Sequence, residues 1–193
     1  DRLLVSMHDF DGVPSDLDAR VDAMSRTGAG TVKVAVMAHR LADCLPLIIY
    51  DPSGRRLAAV HAGWRGTVQS AARAAVDRLV EAGSPPDGLV VAIGPSIGPC
   101  CYEVDGPVIE QLSAAFPAGW ERWTIPAGPG KWMLDLWQAN EDQLAAADVD
   151  RAMIENLRLC TACNPDRFFS YRREGSVRLG RTGSLVAMAA IPG

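Results

Sequence analysis

The alternation of apolar and polar positions predicts a series of short strands. Residues 45–50 are apolar on both faces, as in a strand buried within a sheet. They end in the turn 51–54, Asp-Pro-Ser-Gly, and a second apolar run follows at 57–60. Two strands joined by such a turn form a hairpin, so we predict that 45–50 and 57–60 pair with each other. Further strands are predicted at 3–5, 31–37, 89–93, 154–159 and 185–190.

Apolar residues at helical spacing predict the remaining elements. The strongest helix is capped by Thr67, carries an apolar face from Val68 to Val80 and ends at Gly83. Other segments are a helix at 108–116, a helix at 134–147, a helix or loop at 14–27 and a surface excursion at 117–131. Strands and helices do not alternate in a βαβ rhythm. We therefore predict an α+β fold in which residues 1–193 form a single domain with mixed β-sheets flanked by helices.

Composition narrows the class of protein. Apolar residues make up 48% of the 193 residues, which is enough to bury a large core. The net charge of −4 argues against nucleic acid as a partner, because polyanion binding usually requires a basic excess. No apolar run reaches the ~18 residues of a membrane span. The five cysteines form an odd and unevenly spaced set, which favours a reducing, cytoplasmic location over a disulfide framework. We expect a monomer or small homo-oligomer.

A small set of residues is able to hold a metal ion. The predicted hairpin places Cys44 and His61 at the same end, and His8, in a separate turn, would complete a His2Cys set. Three protein ligands with an open fourth position are typical of catalytic zinc, and mixed nitrogen and thiolate donors suit that ion. The alternative is that Cys44 is a small buried hydrophobe and the histidines are surface residues. The residues alone leave both interpretations open.

Four strings of sequence closely resemble one known family. It is the laccase-domain family, also called multicopper polyphenol oxidase-like, purine nucleoside phosphorylase or peptidoglycan editing factor. The resemblance runs in order from about residue 8 to the C-terminus. The strings are ADCLP at 42–46, HAGWRG at 61–66, IGPSIGP at 93–99 and FFSYRR at 168–173.

The resemblance implies a metal site formed by His8, Cys44 and His61, with zinc as the ion and copper as an alternative at the same place. His8 lies in Ser-Met-His-Asp, whereas the family usually has Gln-Val-His-Gly. Residues 38–41 also depart from the family pattern and introduce His39 as a rival ligand. Most of the family's N-terminal segment, which precedes the first metal histidine, is expected to be missing from residues 1–193.

The resemblance also implies a reaction. The family acts as zinc-dependent phosphorylases of adenosine, inosine, guanosine and methylthioadenosine, with adenosine deamination as a second activity. The substrates would be a nucleoside and phosphate. On this interpretation Cys44, Arg65 and Asp43 are catalytic, and Arg65 and Arg172 bind substrate. From the residues alone, Arg65 is equally consistent with a structural ion pair, Asp43 with a turn, and Arg172 with a solvated surface.

Other functions remain open at this stage. A copper-dependent polyphenol oxidase (laccase) with four coppers needs far more than the three histidines in the chain. A peptidoglycan-precursor editing hydrolase could use zinc, or Cys44 as nucleophile and His61 as base. A non-catalytic binding domain is a further alternative. The other cysteines are expected to be structural, since Cys160 and Cys163 form only one Cys-x-x-Cys pair and the adjacent Cys100 and Cys101 are expected to serve in packing.

Overall fold

The computed structural model describes residues 4–7, 35–40, 43–175 and 184–189, with side chains described for 43–175. Within these ranges the chain forms helices and strands, and the strands are arranged in three separate sheets. The strands are β1 (Leu4–Met7), β2 (Ala35–Arg40), β3 (Leu45–Asp51), β4 (Arg56–Ala62), β5 (Val90–Ile93), β6 (Glu103–Asp105), β7 (Thr124–Gly128), β8 (Lys131–Leu134), β9 (Ile154–Asn156) and β10 (Ser184–Ala189). The α-helices are α1 (Trp64–Val68), α2 (Ala71–Glu81), α3 (Gly106–Ala115), α4 (Leu136–Ala145) and α5 (Tyr171–Glu174). Short 3-10 helices cover Pro86–Gly88, Trp120–Trp123 and Arg151–Met153.

The largest sheet contains five strands in the order β1-β4-β3-β5-β9. The outer pairs β1–β4 and β5–β9 are parallel, whereas β3 is antiparallel to both β4 and β5. A second sheet pairs β10 with β2, and a third orders its strands β6-β8-β7. Mixed sheets and helices of this kind confirm the predicted α+β class.

The predicted hairpin of β3 and β4 is present and lies in the middle of the five-stranded sheet. Its register pairs Leu45 with Ala62 at one end and Asp51 with Arg56 at the other. At the turn, Oδ1 of Asp51 accepts hydrogen bonds of 2.9 Å from the backbone N–H groups of Ser53 and Gly54. Carboxylates commonly stabilise turns in this way, which explains why the Asp-Pro-Ser-Gly run reverses the chain.

The helix predicted from Thr67 to Val80 is wrong as a single element, because the structure divides it into α1 and α2. The helix is interrupted at Ser70, which has a φ of 57° and so lies in the left-handed region that right-handed helices exclude. Thr67 does not cap the helix; it lies inside α1, where its hydroxyl donates to the carbonyl of Gly63 at 2.9 Å. Helix α2 packs on β4, and its buried apolar face forms part of the main core.

Residues 117–131 are more ordered than predicted. They contain the 3-10 helix Trp120–Trp123 and the strand β7, and β7 forms a hairpin with β8. Trp123 is buried, and its indole N–H donates to Oδ2 of Asp142 in α4 at 2.8 Å. Tryptophan combines a large apolar ring with a polar N–H, so the tryptophans of this segment were the sequence signal for packing.

The remaining predicted elements are found with shifted bounds. The strand at 154–159 ends at Asn156, and the strand at 31–37 corresponds to β2. The helix or loop predicted at 14–27 lies outside the described residues. In the described part of the chain, no helix is long and apolar enough to cross a lipid bilayer.

Candidate functional site at one end of the central hairpin

Cys44 and His61 lie at the same end of the β3–β4 hairpin, as the sequence predicts. Cys44 immediately precedes β3, and His61 pairs with Pro46 two positions further along. His61 is only 4% exposed, whereas Cys44 is half-buried. An imidazole and a thiol therefore belong to adjoining chain segments at a partly enclosed strand end, and this combination of donors suits zinc.

The remaining two histidines are His8 and His39. His8 lies outside the described residues, but β1 ends at Met7, which pairs with Val60 in parallel register. His39 belongs to β2, where its backbone pairs with Leu185 of β10 in the two-stranded sheet. His39 is therefore not on either strand of the hairpin that positions Cys44 and His61.

Asp43 connects the start of β3 to three distant segments. Its Oδ1 accepts a 2.6 Å hydrogen bond from the hydroxyl of Thr161. Its Oδ2 accepts bonds of 3.1 Å from the hydroxyl of Ser170 and 2.7 Å from the backbone N–H of Arg172. Its backbone carbonyl accepts a further bond of 2.9 Å from Ile97. These contacts support a positioning role for Asp43, beside Cys44, while its catalytic role stays a prediction.

Tyr102 lies among the charged groups of the site. Burial raises the pKa of its phenol well above the ordinary value, and negative charge on Cys44 and Asp43 raises it further, whereas the guanidinium groups of Arg172 and Arg65 lower it. The phenol therefore stays neutral and is able to donate a hydrogen bond at physiological pH. Sequence reasoning missed Tyr102, although it directly follows the Cys-Cys pair and combines a ring with a polar end.

An open cleft of about 320 Å³ lies beside Tyr102. Its walls combine two aromatic rings with charged side chains of both signs. The lining residues are Trp64, Tyr102, Glu103, Val104, Asp105, Val108, Lys131 and Arg172. Flat aromatic surfaces and a few polar groups in one concave surface are typical of sites for small polar molecules.

The two arginines of the FFSYRR string have different roles. The guanidinium of Arg173 donates to the carbonyls of Thr161, Ala162 and Phe168, each at 2.9 Å, and thereby holds the loop before α5. Arg172 instead lines the cleft, where its guanidinium lies 5.2 Å from the centre of the Tyr102 ring. Arg172 is thus the one of the two that faces the candidate site.

Arg65 is exposed at the start of the short helix α1. Its guanidinium lies 4.4 Å from the centre of the Trp64 ring, in a cation–π contact, and Trp64 lines the cleft. Because α1 contains only five residues, its helix dipole contributes little to anion binding. Any anion held here would depend on the guanidinium itself.

The remaining four cysteines come together in one cluster, which was not predicted. The Sγ atoms of Cys100, Cys101, Cys160 and Cys163 all lie within 4.8 Å of one another, so this group could hold a metal ion. The two pairs are separated by about 60 positions in the chain, and they meet because Ser96 and Cys160 form a parallel bridge. The sequence contains two cysteine pairs, the Cys-x-x-Cys motif and the adjacent cysteines, but only the fold shows that the two pairs form one cluster.

Comparison with known proteins identifies the family. Residues 5–189 match the family model described as multi-copper polyphenol oxidoreductase laccase. The chain is 41% identical over 145 residues to a purine nucleoside phosphorylase of Pseudomonas aeruginosa, covering 75% of this chain and 57% of that protein. It is 34% identical over 169 residues to adenosine deaminase RL5 of an unknown prokaryotic organism, covering 86% of this chain and 64% of that protein.

A solved structure agrees with this assignment. The crystal structure of YlmD from Geobacillus stearothermophilus matches with a TM-score of 0.72 and 35% identity, over 83% of this chain and 58% of that chain. The same protein carries the name purine nucleoside phosphorylase and is 38% identical over 169 residues, which are 86% of this chain and 58% of that protein. The chain therefore belongs to the multi-copper polyphenol oxidoreductase laccase family, as the four sequence strings predict. It spans about 57% of the length of the Pseudomonas relative.

Proposed function

We propose that this chain is a zinc-dependent purine nucleoside phosphorylase that also deaminates adenosine. The observation that carries the proposal is the position of Cys44 and His61 at one strand end, beside a cleft lined by Tyr102 and Arg172. The names of the relatives, purine nucleoside phosphorylase and adenosine deaminase, support the same reactions.

The proposed zinc ligands are His8, Cys44 and His61. Strands β1 and β4 run parallel with Met7 opposite Val60, and the next residues along the chain are His8 and His61. His8 directly follows Met7 in the sequence, so the pairing of Met7 with Val60 supports His8 as the third ligand. When bound, zinc in such a site supplies Lewis-acid activation of water or substrate.

The cleft provides the proposed binding site for the nucleoside. The rings of Trp64 and Tyr102 offer flat surfaces for a purine, and the neutral phenol of Tyr102 is able to donate a hydrogen bond to it. Arg172 uses one of its nitrogen atoms to donate to the carbonyl of Glu103 at 2.7 Å, which fixes the guanidinium at the cleft wall. A fixed guanidinium is well suited to orienting a polar substrate.

Arg65 is the proposed contact for phosphate. Its guanidinium is exposed and rests on Trp64, so it lies at the edge of the same cleft. In phosphorolysis a phosphate oxygen forms a bond to the ribose anomeric carbon while the bond to the purine nitrogen breaks, and the base leaves with a proton. A cation that positions phosphate against the ribose lowers the barrier to this step. Deamination replaces the purine amino group by a carbonyl oxygen derived from water, releases ammonia and needs no phosphate.

The alternative functions receive less support. The chain contains three histidines, too few to bind the four coppers of a multicopper oxidase, although one copper could replace zinc at the same ligands. The hydrolase interpretation, with Cys44 as nucleophile and His61 as base, uses the same two residues but gives no role to the aromatic rings and Arg172 in the cleft. Loss of activity on metal removal distinguishes zinc chemistry from a metal-free cysteine hydrolase.

Chromatography of the products formed from adenosine, with and without inorganic phosphate, tests the proposal. We expect adenine only when phosphate is present, and inosine under both conditions. Cys44→Ala should abolish both products, whereas Arg73→Ala, at an exposed position on α2 outside the proposed site, should leave both unchanged. Absence of adenine, hypoxanthine and inosine from reactions with wild-type, zinc-containing protein would refute the proposal.

A further inference from the structure

The cluster of Cys100, Cys101, Cys160 and Cys163 has the dimensions of a metal site. Zinc bound to four thiolates at ~2.3 Å in a tetrahedron places the sulfur atoms ~3.8 Å from one another. In the structure, the Sγ of Cys163 lies 3.5 Å from that of Cys100 and 3.4 Å from that of Cys101. All four sulfur atoms lie within 4.8 Å of one another. These separations exceed the ~2.05 Å of a disulfide and match a shared ion.

The local backbone explains how two adjacent cysteines reach the same point. The carbonyl of Gly98 accepts hydrogen bonds from the N–H groups of Cys101 at 3.0 Å and Tyr102 at 3.1 Å, so the chain turns tightly at the cysteine pair. This turn directs both sulfur atoms towards Cys163. Adjacent cysteines in an extended strand would point to opposite faces. The turn thus allows two adjacent cysteines to direct their sulfur atoms to one ion.

Gly98 also contacts the cluster directly. Its backbone N–H donates to the Sγ of Cys160 at 3.3 Å. Hydrogen bonds from the backbone to sulfur stabilise the negative charge of metal-bound thiolates. A Cβ atom at this position would lie 2.6 Å from the ring of Trp137 and 3.2 Å from the Cβ of Cys160, so glycine is needed for the close approach.

Two chain segments meet side by side at the cluster. The N–H of Ser96 donates to the carbonyl of Leu159 at 3.2 Å, and the N–H of Thr161 donates to the carbonyl of Ser96 at 3.0 Å. One segment supplies the adjacent pair, and the other supplies the Cys-x-x-Cys pair, whose spacing is typical of structural zinc ligands. Cys160 is 5% exposed, whereas Cys100 and Cys163 are exposed, which leaves a route for the ion to enter.

We propose that Cys100, Cys101, Cys160 and Cys163 bind one zinc ion in a closed tetrathiolate site that is distinct from the site at Cys44 and His61. Four protein ligands fill the tetrahedral shell, so this ion has no open position for substrate and its role is structural. It joins the loop after β5 to the segment that carries Thr161. The site goes beyond the proposed enzymatic function and does not depend on it.

Zinc content and X-ray absorption of the Cys44→Ala variant test the site. This variant removes the other thiolate ligand, so it should retain about one zinc per chain, bound by sulfur alone at ~2.3 Å. Cys44→Ala combined with Cys163→Ala should contain no stoichiometric zinc. The absorption measurement leaves the cluster intact, and it is therefore informative even if the Cys163→Ala variant fails to fold.

The outcomes distinguish this site from the proposed catalytic site. If folded Cys44→Ala holds one zinc ion per chain, nitrogen or oxygen ligands to that ion would overturn the tetrathiolate zinc site. The absence of zinc, iron in its place, or disulfides among the four cysteines would overturn it as well. Retention of both zinc ions by Cys44→Ala would leave the cluster supported while removing the ligand set of the proposed function.

Discussion

The hydroxyl of Thr161 donates a 2.6 Å hydrogen bond to Oδ1 of Asp43, across 118 positions of the chain. Asp43 directly precedes Cys44, and Thr161 lies between the two cysteines of the Cys-x-x-Cys pair. The contact therefore links the cysteine cluster to the candidate catalytic site. A change in the position of the segment at residues 160–163 would be transmitted to the start of β3.

Replacing Thr161 by valine should weaken this link without removing a metal ligand. Hydrogen bonds to charged groups contribute about 1.5–3 kcal/mol, so Thr161→Val should lower the Tm by roughly 3–10 °C. Phosphorolysis should slow because Cys44 loses support through Asp43, while the zinc content stays unchanged. Differential scanning calorimetry, steady-state kinetics and elemental analysis measure the three quantities.

Thr124→Val is the matched control for this change. The hydroxyl of Thr124 makes a longer, 3.4 Å hydrogen bond to the carbonyl of Glu121, far from Asp43 in sequence. It should leave both Tm and activity close to wild type. Equal effects of the two substitutions would show that the hydroxyl of Thr161 has no special role.

Arg65→Ala separates the two proposed reactions. Loss of a charged contact to phosphate commonly costs a few kcal/mol, so phosphorolysis should fall about a hundredfold while zinc stays bound. Deamination uses water and should fall much less. Initial rates of adenine and inosine formation, measured at phosphate concentrations below the wild-type KM for phosphate, provide the comparison.

Arg73→Ala is a suitable control because Arg73 is exposed on α2, where it pairs with Asp77 at 3.6 Å. It should alter neither rate. Equal loss of both reactions in Arg65→Ala would instead indicate that Arg65 binds the nucleoside or supports the fold.

Asp51 predicts a pH dependence of stability. Burial alone raises the pKa of Asp51, but the N–H of Gly54, the hydroxyls of Ser84 and Ser53 and the guanidinium of Arg56 together hold it well below the usual range. A depressed pKa in the folded state contributes stability above the unfolded value of about 3.9, and this contribution is lost as the pH falls below that value. Asp51→Asn should therefore lower the free energy of unfolding at pH 7 by roughly 2–4 kcal/mol.

The Asp51→Asn variant should also show a flatter dependence of stability on pH below about 4, because the ionising group is gone. Urea unfolding at pH 7 and pH 3 measures both effects. Asp77→Asn, an exposed carboxylate on α2, is the control and should follow the wild type. A wild-type pH dependence in Asp51→Asn would disprove this assignment.

The β3–β4 hairpin that positions Cys44 and His61 could be predicted because its sequence signals are local. Apolar runs flank an Asp-Pro-Ser-Gly turn, and the hairpin alone places Cys44 and His61 together. The family resemblance was likewise carried by short strings. The helix break at Ser70 could not be predicted, since a single residue with positive φ leaves the apolar period almost intact.

The cysteine cluster shows where sequence reasoning ends. Cys100 and Cys163 are 63 positions apart, and neither pair alone is a strong metal motif. Their meeting depends on the parallel bridge between Ser96 and Cys160, which is a long-range feature of the fold. Tyr102 was missed for the same reason, because its charged neighbours come from three other segments of the chain.

Phosphorus NMR of ribose 1-phosphate formed from adenosine and inorganic phosphate tests the central claim most directly. The wild-type protein with bound zinc should form this product, removal of zinc from the site at Cys44 and His61 by a chelator should stop its formation, and added zinc should restore it. The absence of ribose 1-phosphate with the zinc-containing protein, or its undiminished formation after all zinc has been removed, would contradict a zinc-dependent phosphorylase.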